Sequence, residues 1–279
     1  MLTLHHPRRF FSALLGLGLL AGCAKDADPP APLGTLTFDV ENVVGADPLV
    51  LDSRTYTSPL GEPFQVTSFK YYLSNFRLLR ADGSEYRVPE SYFLVRELRP
   101  GDPWTDNGKH FELKDIPAGD YTGVSFLIGV DEERNTAGAQ TGALSPDNYM
   151  FWTWNQGYIF LHMEGTSPNS GDTGTHLLAY HVGDFNNPNN IREVAPPLPA
   201  GATLHIGPGK RPAIQMRTNL LRLFEGASPE LSHPVRFGPF WTGVGGAEAA
   251  RIATNYSGSG SRGVVGTNSL FTFTSIKGN

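Results

Sequence analysis

One cysteine, Cys23, stands among 279 residues, so the chain cannot form an intrachain disulfide or a site built from several thiolates. With that cysteine used elsewhere, any metal must be held by His, Met, Asp, Glu or Asn. Charge is sparse. Charged residues make up 18%, the net charge is −5, and no basic stripe exists, which excludes nucleic acid as a partner. No apolar run reaches the roughly 20 residues needed to span a bilayer. No repeat with a period of about 20–50 residues is present, which argues against solenoids and propellers. Also missing are a Gly-rich phosphate loop, His-Glu-x-x-His and Gly-x-Ser-x-Gly. A calcium loop at Asp131–Asn135 fails, because the positions that need Gly and Glu hold Thr136 and Gly142. A carboxylate pair for glycoside hydrolysis would assemble only in the fold, and no motif marks one.

What is present begins with processing signals. His5, His6, Arg8 and Arg9 precede an apolar run, Phe10 to Leu20, and then Leu20-Ala21-Gly22-Cys23. This order is that of a secretory signal, and small residues directly before the cysteine look like a bacterial lipobox. Residues 1–22 are therefore expected to be removed, the Cys23 thiol acylated, and the mature chain anchored by lipid rather than crossing the membrane. Ala24, rather than Asp, follows the cysteine, which points to the outer membrane by the usual sorting pattern. Residues 23–34, with Asp-Pro-Pro-Ala-Pro at their centre, read as an extended tether. Residues 35–279 read as the folded domain.

That domain reads as all-β: an antiparallel β-sandwich with long loops and one or two short helices. Thr35–Val40 alternates polar and apolar residues, and Tyr121–Val130, Tyr158–Met163, His176–Val182, Ala202–Ile206, Pro212–Leu221 and Ser269–Ile276 are further strand candidates. The 32 glycines and 22 prolines punctuate them as turns. Ala81-Asp82-Gly83-Ser84 reads as a hairpin turn, Pro117-Ala118-Gly119-Asp120 as another, and Ser257–Gly263 as a flexible loop. Val66–Leu73 and Gly246–Tyr256 read as helices.

Residues able to carry chemistry are few. Tyr149 to Phe160 holds the densest aromatic cluster, including Trp152 and Trp154, and on composition it reads as a core plug between two sheets. His162, His176, His181 and His205 fall in strand-like segments. His176 and His181 are five apart and face opposite ways on a regular strand, as do the adjacent His162 and Met163. Local sequence alone therefore assembles no site. Asp184–Asn190 is oxygen-rich and reads as a turn-forming loop.

Six motifs in order resemble one family. Lys70-Tyr71-Tyr72-Leu73-Ser74-Asn75-Phe76, Ile116-Pro117-Ala118-Gly119-Asp120-Tyr121, Ile128-Gly129-Val130-Asp131, Gly142 through Gly165 with Met150-Phe151-Trp152-Thr153-Trp154-Asn155-Gln156-Gly157-Tyr158 at its centre, Tyr180-His181-Val182-Gly183 and Ile252-Ala253-Thr254-Asn255-Tyr256 together resemble MbnP-like proteins. The family's Leu-Asp-Pro is Leu144-Ser145-Pro146 here. The resemblance implies a secreted or lipid-anchored β-sandwich that binds one copper ion and is not an enzyme. It implies that a partner dihaem enzyme of the MbnH type oxidises a tryptophan to kynurenine beside the metal, with Trp152 or Trp154 as the target. It makes His181 the first metal ligand and His162 the second, with Asp131 as an outer group orienting a His N–H. Histidine ligation would make affinity fall below pH about 6.5. The other reading is a structural or interaction lipoprotein whose aromatic cluster is simply core, without metal.

Overall fold

The structure, a computed structural model, describes residues 1–3, 32–138, 140–152, 157–186, 188–226, 234–258 and 269–279. The lipobox with Cys23, nearly all of the tether, Trp154 and most of the loop after Ser257 lie outside the described residues. The unit from Ala31 to Asn279 is built mainly of strands. Those that position the site are, in chain order, β1 (Leu33–Val44), β2 (Pro63–Leu79), β3 (Tyr92–Arg96), β4 (His110–Pro117), β5 (Gly123–Ile128), β6 (Phe151–Trp152), β7 (Gly157–Tyr158), β8 (Leu161–Thr166), β9 (Leu177–Val182), β10 (Arg192–Val194), β11 (Ala213–Asn219), β12 (Thr242–Val244) and β13 (Phe271–Lys277). Among the described residues two α-helices, α1 (Glu132–Thr136) and α2 (Gly246–Ser257), join them.

Two sheets form the sandwich. In the first, β1 lies between β11 and β4, and β13 pairs with the far side of β11. The second runs β10-β5-β2-β8-β9-β12, with β3 also on β2. The all-β expectation holds, with one refinement of strand direction. The β1–β11 and β9–β12 pairs are parallel within otherwise antiparallel sheets. Alternation places Leu36 and Phe38 of β1, Leu113 of β4, Ile214 and Met216 of β11 and Phe273 of β13 in the core. Phe69, Tyr71 and Leu73 of β2, Leu161 and Met163 of β8, and Tyr180 and Val182 of β9 meet them from the second sheet.

Val66–Leu73 is not a helix but the middle of the 17-residue strand β2. The causes are a bulge opposite the Glu164–Gly165 step of β8, which puts Val66 and Phe69 three apart on one face, and burial on both faces beyond it. Tyr71 enters the main core while Tyr72 enters a second cluster on the opposite face, with Leu94, Val130, Met150, Trp152, Tyr158 and Phe160. Period-two alternation disappears where both faces are apolar, so a doubly buried strand imitates a buried helix. Its β-branched and aromatic content (Val66, Thr67, Phe69, Tyr71, Tyr72) fits the extended state. The hairpin turn at 81–84 forms as expected, the Arg80 amide donating to the Ser84 carbonyl at 2.9 Å. Helix α2 runs one residue past the expected Tyr256 and ends at Gly258, whose φ of 69° is the left-handed cap that glycine accepts most readily. It buries Ala249, Ile252, Ala253 and Tyr256, a helical stripe, against the second sheet.

Candidate metal centre on the outer face of the second sheet

Strand parity builds the site. On β8, Leu161 and Met163 point into the core, so His162 and Glu164 point the other way. On β9, Leu178, Tyr180 and Val182 point in, so Ala179 and His181 point out. The β8–β9 register sets His162 directly opposite His181. Their rings stack at a centroid distance of 4.1 Å, 17° from parallel. One row of partners thus crosses five strands on this face: Val244, His181, His162, Lys70 and Arg96.

Both imidazoles address one carboxylate. The His181 Nε2 lies 2.9 Å and the His162 Nε2 3.5 Å from Oε1 of Glu164. The donor atoms of these three residues all lie within 4.8 Å of one another, and no other such trio of His, Cys, Asp or Glu occurs among the described residues. The His162 side chain is 11% exposed, that of His181 19% and that of Glu164 36%, so the cluster opens outward through the carboxylate. Ser68, the β2 partner of Glu164, sets its hydroxyl 3.3 Å from Nδ1 of His162. A hydroxyl donates or accepts, so Ser68 holds that ring in either neutral tautomer, including the one that frees Nε2 for a metal.

Electrostatics favours ligating forms. The two histidines, through their hydrogen bonds, hold the Glu164 carboxyl far below the ordinary carboxylate range. Burial lowers the pKa of His162, and the hydrogen bond to Glu164 only partly opposes it, with His181 and Lys70 disfavouring a second positive charge. His162 is therefore neutral near pH 7, as a ligand must be. Lys70 and Arg96 continue the row onto Trp104, their cationic groups 4.7 and 4.9 Å from its ring centroid.

The sequence-expected residues divide. His162 and His181 come together. Trp152 is 6% exposed in the second cluster, and its six-membered ring fills the space where a side chain on Gly183 would be, with Cζ3 2.4 Å from that Cβ position. Gly183 lies two residues beyond His181, so the indole borders the histidine face. Trp154 lies outside the described residues. Asp131 does not orient a histidine: its carboxylate caps α1 by accepting from the Arg134 amide at 3.1 Å, and it also accepts from Tyr92 at 2.5 Å and Asn75 at 3.0 Å. An Asp directly before Glu132-Glu133 at a helix start is an N-cap signal, and that role prevails. His176, with φ of 57°, precedes β9 instead of opening it, and His205 pairs with Asp120 elsewhere. Glu164 is the residue that sequence reading passed over. Its signal was its spacing, two from His162 on one strand and hence on one face.

The family model described as MbnP matches residues 33–235, well over half of the chain. Among solved structures, MbnP from Methylosinus trichosporium is similar at 14% identity, covering 88% of this chain and 98% of that one with a TM-score of 0.48. No curated protein matches the chain.

Proposed function

The chain belongs to the MbnP family, and from that premise we propose that it is an extracytoplasmic copper-binding protein, not an enzyme, which acquires or handles the metal while anchored by lipid on Cys23, in the outer membrane. The observation that carries this is the stacked His162–His181 pair with both Nε2 atoms turned to Glu164. Neutral imidazole suits copper, and the surrounding hydrogen bonds orient the ring. The nearness of Trp152 to this face, through Gly183, supports a modified tryptophan beside the metal. In this reading Trp152 or Trp154 is converted to kynurenine by a partner dihaem enzyme of the MbnH type. Asp131 has no part in it. No helix among the described residues is long and apolar enough to cross a membrane.

Equilibrium dialysis against copper tests the reading, with thermal unfolding as the control for fold. His181→Ala and His162→Ala should each weaken copper binding by about 100-fold or more, beyond the 10–100-fold that loss of an outer hydrogen-bond partner costs. The melting temperature should stay close to that of the parent. Burial of Trp152, Tyr158 and Phe160 in one cluster favours the second reading, an interaction module with an aromatic core. Under that reading the two His variants lose stability and no copper, because none was bound.

A further inference from the structure

We infer that Lys70 and Arg96, covered by the indole of Trp104, form a binding site for a small oxyanion, a carboxylate or a phosphate group, separate from the histidine cluster. The inference does not depend on the copper reading.

A buried charge without a counter-ion is the first support. Strand parity sends Tyr71 and Val95 into the main core, so Lys70 of β2 and its partner Arg96 of β3 leave the sheet side by side on the outer face. Arg96 is 8% exposed, yet its guanidinium makes one hydrogen bond, Nη2 donating to Oδ1 of Asn148 at 3.2 Å. Its Nε and Nη1 are buried without an acceptor. Asn148 is held in place by its own amide, which donates to the carbonyls of Gly142 and Ala143. Carboxylates lie nearby, but each is committed elsewhere. Glu164 faces the two imidazoles, Glu97 pairs with Lys109, Asp102 with Arg99, and Asp106 accepts from the Gly108 amide. Among the described residues neither Lys70 nor Arg96 enters an ion pair. Buried charges are ordinarily paired. A planar guanidinium with donors free on two sides fits the oxygens of a carboxylate or phosphate, and a neighbouring ammonium adds a point charge. Burial lowers the pKa of both groups, and the Arg96 charge lowers that of Lys70 further, so one anion beside them relieves both.

The cover is the second support. The Trp104 ring centroid lies 4.7 Å from Nζ of Lys70 and 4.9 Å from Cζ of Arg96. A neutral ring offsets only part of what a cation loses on leaving water. No hydrogen bond to a described residue ties Trp104 down, and its other ring contact is the edge of Tyr149, with centroids 6.1 Å apart. Tyr149 is 71% exposed and holds a left-handed φ of 55°, uncommon for a bulky residue. The indole is thus held by ring contacts alone, and an oxyanion that reaches the two cations takes its place on them.

Calorimetric titration of the metal-free full-length protein with sodium phosphate and, separately, with sodium acetate tests this, at an ionic strength held constant with chloride and with near-ultraviolet circular dichroism reporting the fold. The parent should bind an oxyanion saturably, and the salt that binds more tightly identifies the group recognised. Lys70→Gln and Arg96→Gln should each weaken binding by about tenfold or more, the loss of one charge-assisted hydrogen bond. Lys70 is only half-buried, so its variant keeps the test open if Arg96→Gln does not fold. Trp104→Ala should tighten binding by uncovering the cations, and His181→Ala should leave it unchanged. If the folded parent binds neither salt, or if Lys70→Gln binds as the parent does, the inference falls while the copper reading stands. Loss of anion binding in His181→Ala would place the anion on the histidines and overturn the separate site. Weaker binding in Trp104→Ala would overturn the role of the indole as a cover.

Discussion

At the scale of single residues, His162 shows how burial would prepare the proposed ligand. Its ring lies between Ser68, His181, Glu164 and Lys70, and desolvation keeps it neutral where an exposed histidine would begin to take up a proton. The sign of the pH effect follows. Unfolded, His162 takes up a proton near its ordinary pKa of 6.5; folded, it does so only at lower pH. The unfolded chain thus binds more protons below about 6.5, and stability falls as pH drops through that window. Glu164 acts in the same direction at lower pH, because its folded carboxyl stays ionised well below its ordinary value of 4.5. The metal-free protein should therefore melt at progressively lower temperature between pH 7 and pH 4. His162→Gln should flatten the upper part of that profile. A parent profile indistinguishable from that of His162→Gln would contradict the burial of the ring.

At the scale of elements, the β6–β7 hairpin and the end of β9 depend on each other through Gly183. A Cβ there would lie 2.4 Å from the Trp152 ring and 2.7 Å from the Tyr158 carbonyl, and the carbonyl cannot yield as a side-chain tip would. Gly183→Ala should cost about 1–3 kcal/mol, in the range of overpacking. It should also shift tryptophan fluorescence as the indole moves. An unchanged melting temperature and emission would show that the hairpin does not pack as described. Much of this was legible beforehand. Alternation marked β8 and β9, and parity separated His162 from Met163. The Gly in Tyr180-His181-Val182-Gly183 carried the close approach of Trp152, although its reason needed the fold. The pairing of His162 with His181 was not legible. It depends on a register set across 18 intervening positions by the cores on either side of the sheet, not by anything local. Glu164 was legible by parity, but only once β8 was known to be regular through that residue. β2 misled for the opposite reason: Tyr71 and Tyr72 bury opposite faces, and the strand signature vanishes.

At the scale of the whole molecule, the sandwich assigns its two surfaces of the second sheet to different work. The inner face carries the core shared with β1, β4, β11 and β13. The outer face, freed from that task, holds a polar row of His181, His162, Lys70 and Arg96 beside a smaller aromatic cluster. Helix α2 packs on β9 and β12, bracing the strand that supplies His181. A metal site placed on paired, doubly supported strands is held more rigidly than one on loops. Copper content and intact mass of the mature protein, purified from the cells that make it, test the central claim most directly. The account predicts about one copper per chain, a lipid-bearing N-terminus at Cys23, and the mass gain of kynurenine confined to Trp152 or Trp154. A protein that carries no copper, takes up none on reconstitution and keeps both tryptophans unmodified would contradict it.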